Sequence, residues 1–310
     1  MLDVCLLGTG GMMPLPNRWL TALLIRYQGR KILIDCGEGT QITLKMLGWG
    51  FKTIDVICFT HYHGDHVTGL PGLLLTIGNS GRTEPITLIG PTGLKKVVEG
   101  LGVVTPELPF DVNLIEVSED KAKETKIEIN KGFFIKMLPV EHRITCFAYL
   151  VELERLPKFI PEQAMKLNIP QHFWKNLQQG ETVKIMDKIY TPEMVLGEKR
   201  KGLKVAYCTD SRPVAGLKGF IFDADLFVCE GMYGDEEDKD QAKKKKHMIF
   251  SEAAELAKEG RVKELWLTHF SPALTEPKTF LNNALDIFSN TKIGEDRLTK
   301  NLNFIEENLI

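Results

Sequence analysis

Thr60-His61-Tyr62-His63-Gly64-Asp65-His66 sets three imidazoles and a carboxylate within six residues, directly after the apolar run Val56-Ile57-Cys58-Phe59. Three histidines and an aspartate at this spacing repel one another if protonated. Left neutral and unliganded, they are costly to remove from water. Nitrogen and oxygen ligands crowded at a strand end suit a pair of zinc ions. A strand ending in this motif, with a helix beginning near Val67, aims alternate side chains at one open site.

Each ion then needs ligands from elsewhere in the chain, and three candidates stand in the same position relative to an apolar run. His142 follows Phe133 to Val140, Asp210 follows Val205-Ala206-Tyr207-Cys208, and His269 follows Leu265-Trp266-Leu267-Thr268. Taken singly, each also reads as a hydrogen-bonded structural residue just past a strand. The glycines of Leu7-Gly8-Thr9-Gly10-Gly11 do not complete a dinucleotide-binding pattern, because Pro14 and Pro16 follow before any amphipathic helix.

The chain has 310 residues, 43% of them hydrophobic, enough for a large core without disulfides. Its six cysteines (Cys5, Cys36, Cys58, Cys146, Cys208 and Cys229) lie in or beside apolar runs without a CxxC pair. They read as small buried hydrophobes in a reducing compartment. Met1-Leu2-Asp3-Val4 is acidic and leads straight into a strand, unlike a signal peptide, and no apolar run approaches the ~20 residues that span a bilayer. The expected location is the cytoplasm. A net charge of −2 argues against indiscriminate nucleic-acid binding but leaves room for a basic surface. Such a surface is suggested between Arg155 and Lys204, where Lys158, Lys166, Lys175, Lys184, Lys188, Lys199, Arg200 and Lys201 are interleaved with Phe159, Phe173 and Trp174. These residues read as a grip on phosphates with aromatic rings for stacking.

Strand-like runs alternate with helical stretches along one domain spanning residues 1–310. Helices are expected near Val67 to Ile77, from Leu94 to about Leu101, and over Ser251 to Lys258, Thr279 to Phe288 and Asp296 to Glu307. Residues 154–202 break the rhythm with Pro157, Pro161, Pro170 and Pro192, and read as an insertion. The pattern alone supports a mixed α/β (α+β) domain.

The spacing His-x-His-x-Asp-His at 61–66, with Asp35 upstream and His142, Asp210 and His269 downstream, resembles the metallo-β-lactamase fold hydrolases over nearly the whole chain. Within them, Leu7-Gly8-Thr9-Gly10-Gly11, Asp35-Cys36-Gly37-Glu38-Gly39-Thr40-Gln41 and Gly69-Leu70-Pro71-Gly72-Leu73-Leu74 look like the ribonuclease Z family, endonucleases that trim the 3′ side of precursor tRNA. The resemblance implies an αββα sandwich, two zinc ions per chain, a homodimer, and a protruding arm at 154–202 that clamps tRNA. It implies that His61, His63 and His142 hold one zinc, that Asp65, His66 and His269 hold the other, and that Asp210 bridges both. It further implies that metal-activated water would attack the phosphodiester, with Asp65 orienting or deprotonating that water and Asp35 supporting a ligand imidazole. His247, held by Glu230, would protonate the leaving 3′-oxygen. Cys229-Glu230-Gly231-Met232 and Met248-Ile249 depart from the family's usual runs, and His247 ends Lys243-Lys244-Lys245-Lys246, so it also reads as part of a basic surface loop. Two alternatives stay open. One is a hydrolase of the same fold acting on a small phosphodiester such as a cyclic nucleotide, or on a thioester or lactam; the other is a non-catalytic RNA-binding scaffold.

Overall fold

A computed structural model describes residues 1–105 and 107–305. The first part of the chain supplies β1 (Leu2–Gly8), β2 (Ala22–Tyr27), β3 (Arg30–Ile34), β4 (Ile54–Cys58), β5 (Ile86–Pro91) and β6 (Val112–Val117). Next come β7 (Lys126–Asn130), β8 (Phe133–Val140) and β9 (Cys146–Arg155), then a short hairpin of β10 (Val183–Ile185) and β11 (Lys188–Tyr190). The chain continues with β12 (Arg200–Cys208), β13 (Leu226–Glu230), β14 (Leu265–Thr268) and β15 (Thr291–Ile293), and β16 (Thr299–Leu302) returns to the start. Two seven-stranded sheets result, ordered β16-β1-β2-β3-β4-β5-β6 and β15-β14-β13-β12-β9-β8-β7.

Period-2 burial explains why the sheets stack. Along β1, Leu2, Val4 and Leu6 join the core between the sheets, with Phe147, Tyr149, Val151 and Val228 from the opposite face. The alternate residues Cys5 and Leu7 face outward and pack under Leu70, Leu73 and Ile77 of the helix Leu70–Asn79. On the second sheet, Ala206, Cys208, Phe227 and Cys229 pack outward against Ala253, Ala254 and Ala257 of the helix Phe250–Glu259. Strands buried on both faces read as near-continuous apolar runs. The arrangement is the expected αββα sandwich.

Three helix expectations are corrected. The stretch expected to begin near Val67 divides into Gly64–Val67 and Leu70–Asn79, so Asp65 and His66 sit in the first turn of a short helix rather than at a strand end. Gly69 separates the two: a Cβ there would lie 2.2 Å from the Gly37 carbonyl oxygen, so the site loop and the Cys36-Gly37 turn meet only through a bare backbone. The helix expected over Asp296 to Glu307 is replaced in its described part by β16, whose Leu302 pairs with Leu2; its end lies outside the described residues. Leu298 and Leu302 fit a helical period, but with Phe304 they fit a period of two equally well. The open edge of β1 decides between them. The stretch Thr279 to Phe288 is helical only in part, as a 3₁₀ turn Pro277–Phe280 and a helix Asn282–Leu285.

The insertion leaves and rejoins the second sheet between adjacent antiparallel strands, where Arg155 of β9 pairs with Arg200 of β12. It carries a small core of its own: Ala164, Ile169, Leu177, Val183 and Val195 are buried, with Phe159, Phe173 and Trp174 packed against them. The aromatic residues read from the sequence as stacking platforms are thus half-buried structural residues. The Phe159 and Trp174 rings lie 5.3 Å apart, and Trp174 Nε1 donates to the Ile169 carbonyl at 2.8 Å. The lysines Lys158, Lys166, Lys175, Lys184 and Lys188 are exposed.

Candidate metal centre

The strand ends converge on one edge of the sandwich. β3 runs parallel to β4 in one sheet, β12, β13 and β14 are mutually parallel in the other, and residues that follow the carboxyl ends of both sets meet at one site. Asp35, Asp210 and His269 follow β3, β12 and β14 by one or two residues, and each adopts a left-handed backbone, with φ of 60°, 47° and 58°. Three non-glycine residues in that region at one site mark stored backbone strain, which turns each side chain back toward the sheet ends.

Asp210 divides the centre into two halves. Its Oδ2 lies 3.7 Å from His61 Nε2 and 3.6 Å from His142 Nε2, and His63 Nδ1 lies 2.9 Å and 3.2 Å from those same two nitrogens. Its Oδ1 lies 3.1 Å from both His66 Nε2 and His269 Nε2, and Asp65 Oδ2 is 3.7 Å and 3.4 Å from that pair. The structure therefore brings together all seven ligand candidates, as His61, His63, His142 and Asp210 on one side and Asp65, His66 and His269 on the other. A third combination, Asp210, His247 and His269, also falls within ligating distance.

The donor set fits divalent ions. Three ring nitrogens meeting at one point cannot all be satisfied by each other's protons, whereas a cation accepts a lone pair from each. His66 Nε2, Asp210 Oδ1 and His269 Nε2 are buried and make no hydrogen bond. Burial, reinforced by the His66 ring, pushes the His61 pKa well below its usual value. Burial lowers those of His63 and His142 too, which leaves these rings in the neutral form that ligates. For Asp210, burial favours the proton, but His269 and His66 outweigh it and hold the carboxylate ionised. At His66 burial disfavours charge, yet Asp210 and Asp35 override it and draw positive charge to the ring. A metal ion at Nε2 answers the same demand.

Asp35 accepts from His66 Nδ1 at 2.8 Å and from the Thr60 amide at 2.8 Å, which fixes the tautomer that leaves Nε2 free to ligate. His247 Nδ1 lies 3.1 Å from Glu230 Oε2, and the Met248 amide donates to that same oxygen at 3.1 Å. Burial lowers the His247 pKa, but the Glu230 carboxylate and its hydrogen bond more than reverse this, raising it to about 9. His247 lines a cavity of about 430 Å³ together with His63, Asp65, Arg143, Tyr233 and Lys245. It is not a surface-loop residue.

The Gly10-Gly11-Met12 turn, read from the sequence as the end of a glycine-rich family motif and the start of a loop, borders the site. The Met12 amide, at φ 66°, donates to Asp65 Oδ2 at 2.7 Å. A Cβ on Gly11 would lie 2.7 Å from His269 Cε1 and 2.9 Å from its Nε2. Gly11→Ala should therefore displace the His269 ring and weaken metal binding by roughly 10- to 100-fold, the size of effect seen when a ligand loses its support. Titration against a competing chelator measures it, and unchanged affinity would show that the ring has room to move.

Relatives share this chain over its full length. It is 58% identical over 307 residues to ribonuclease Z of Clostridium kluyveri, covering 99% of this chain and 100% of that protein. It is 57% identical over 309 residues to ribonuclease Z of Clostridium acetobutylicum, covering 98% and 99% respectively. Among solved structures, human tRNase Z, short form, superposes with a TM-score of 0.70 at 26% identity, covering 97% of this chain and 100% of that one. The metallo-β-lactamase fold protein YhfI from Bacillus subtilis shares the fold at 19% identity and a TM-score of 0.69, covering 97% of this chain and 100% of its own. A family profile described as anti-Pycsar protein Apyc1 matches residues 2–100.

Proposed function

The chain belongs to the ribonuclease Z family, and from that premise we propose that it is a zinc-dependent endoribonuclease that removes the 3′ trailer from precursor tRNA. The observation that carries the reading is Asp210, whose two carboxylate oxygens face two separate sets of ligand atoms. His61, His63 and His142 would hold one ion, Asp65, His66 and His269 the other, with Asp210 shared. A nitrogen-rich donor set with carboxylates fits zinc. When bound, a zinc pair supplies Lewis acidity that activates water near neutral pH and stabilises charge building on the phosphoryl group.

The side chains do the rest. Asp65, fixed by the Met12 amide, orients the attacking water along the line to phosphorus. Glu230 keeps the proton on His247 Nδ1 and stabilises the charged ring, so that Nε2–H is available to the leaving 3′-oxygen. Substrate recognition is assigned to the arm at 154–202 and to Arg143 and Lys245 at the rim of the cavity. Six buried free cysteines support a reducing, cytoplasmic location. Among the described residues no helix is long and apolar enough to cross a membrane. Exposed Ile42 and Met46 on one face of the helix Thr40–Leu47 support association as a homodimer, which sedimentation would test.

The deciding experiment compares a 3′-extended precursor tRNA with bis-p-nitrophenyl phosphate. A single cut at the 3′ side of the tRNA, abolished by a chelator and restored by zinc, is expected. Hydrolysis of the small ester and of cyclic nucleotides without any cleavage of the tRNA would favour a small-molecule hydrolase of the same fold.

A further inference from the structure

Asp210, Ser211 and Arg212 are consecutive, and each touches a different part of the site. Asp210 faces both ligand sets, and the Ser211 amide donates to Glu230 Oε1 at 2.5 Å. The Arg212 guanidinium reaches past them to the main chain of His247. Its Nη1 donates to the His247 carbonyl and, at 2.8 Å, to Glu252 Oε2, while Nη2 donates to Glu252 Oε1. Glu252 Oε2 in turn accepts from the Ile249 amide at 3.2 Å. One ion pair thus closes over the backbone from His247 to Ile249.

That segment depends on outside support. It leaves the helix Lys239–Lys245 through Lys246, at φ 65°, and enters the helix Phe250–Glu259. Glu230 sets the ring's tautomer through Nδ1, while the ring's backbone is held from both ends of its peptide unit, by the bond from Arg212 to the His247 carbonyl and by the His247 amide, which donates to the Ala242 carbonyl at 2.9 Å. Arg212 and Glu252 are largely buried, so the pair is held tightly rather than frayed by solvent. The planar fork of an arginine can grip a carboxylate with two nitrogens and still offer a donor to a carbonyl.

We propose that Arg212, locked by Glu252, is a positioning residue that holds the His247 imidazole in register with the metal ligands for proton delivery to the leaving oxygen. It acts through the His247 carbonyl and touches no substrate. The inference rests on the reading of His247 as proton donor, and the test separates the two.

The leaving group of precursor tRNA is a ribose 3′-oxygen, which needs a proton as the P–O bond breaks. The p-nitrophenolate of bis-p-nitrophenyl phosphate departs as a stable anion and needs none. In the zinc-loaded protein, the double variant Arg212→Met/Glu252→Leu removes both charges and so leaves no unpaired one buried. Its kcat on precursor tRNA should fall about 10- to 100-fold, the cost of misplacing a reacting group by about 1 Å. KM, zinc content, melting temperature and hydrolysis of the small ester should change little. Arg212→Lys keeps the ion pair but loses the fork, and a smaller split of the same kind is expected, which also covers failure of the double variant to fold. His247→Ala, assayed beside them, should lose roughly 10²- to 10⁴-fold on tRNA alone. If His247→Ala shows the split and neither Arg212 variant does, or if the Arg212 variants lose both activities equally, Arg212 is structural only. If His247→Ala itself loses both equally, the proton-donor reading falls and the Arg212 inference with it.

Discussion

Asp210→Ala should yield a folded protein that holds less than one metal ion per chain and has lost at least about a thousandfold in precursor cleavage. The loss follows from several kcal/mol of transition-state stabilisation that the metals contribute. One residue has so large an effect because Asp210 is shared: Oδ2 belongs to the His61, His63 and His142 half, and Oδ1 to the His66 and His269 half. On the proposed two-ion reading, removing it would take a ligand from both ions and the negative charge that would balance them. Asp210→Asn keeps the shape but turns one face into a donor pointed at ring nitrogens, so it should behave nearly as badly. Elemental analysis and thermal unfolding read out metal and fold separately. A variant that keeps two metal ions per chain would mean that Asp210 bridges nothing, and the two-ion arrangement would have to be abandoned.

Most of the ligand candidates could be picked out from the sequence because they follow apolar strands, and Asp65 and His66 because they share the short motif that begins at His61. A chain that ends such a strand with His or Asp places a polar group at the sheet edge, and several strands of like polarity bring those groups together. The β4 run Ile54–Cys58 before His61 and the β14 run Leu265–Thr268 before His269 are of this kind. What stayed hidden depends on contacts between residues far apart in sequence. Neither the left-handed turns at Asp35, Asp210 and His269 nor the Met12 amide on Asp65 has a local signature. The Arg212–Glu252 pair spans forty residues and reads locally as two unrelated surface charges. In the fold, the misreading of β16 has the same origin, since only the open edge of β1 distinguishes a strand from a helix over Leu298 and Leu302.

The arm offers the sharpest separation of binding from chemistry. The amide of Gly197 donates to the carbonyl of Lys158 at 2.8 Å, so residues 158–197 can be excised and their neighbours joined by a short Gly-Ser linker. The excised piece carries its own small core and none of the seven ligand candidates, so the metal centre should survive. If the arm grips tRNA, the deletion should raise KM for precursor tRNA by about a hundredfold or more while bis-p-nitrophenyl phosphate is hydrolysed at the parent rate, because remote binding energy is lost without touching the reacting centre. Salt adds a second signature. Within the segment five lysines stand against four acids, so any grip comes from the placement of exposed lysines rather than from net charge. For every phosphate that the shortened protein no longer neutralises, the slope of log affinity against log salt should flatten by about 0.9. Equal loss on both substrates would make the arm a folding element, and unchanged tRNA kinetics would place recognition entirely at the rim around Arg143 and Lys245.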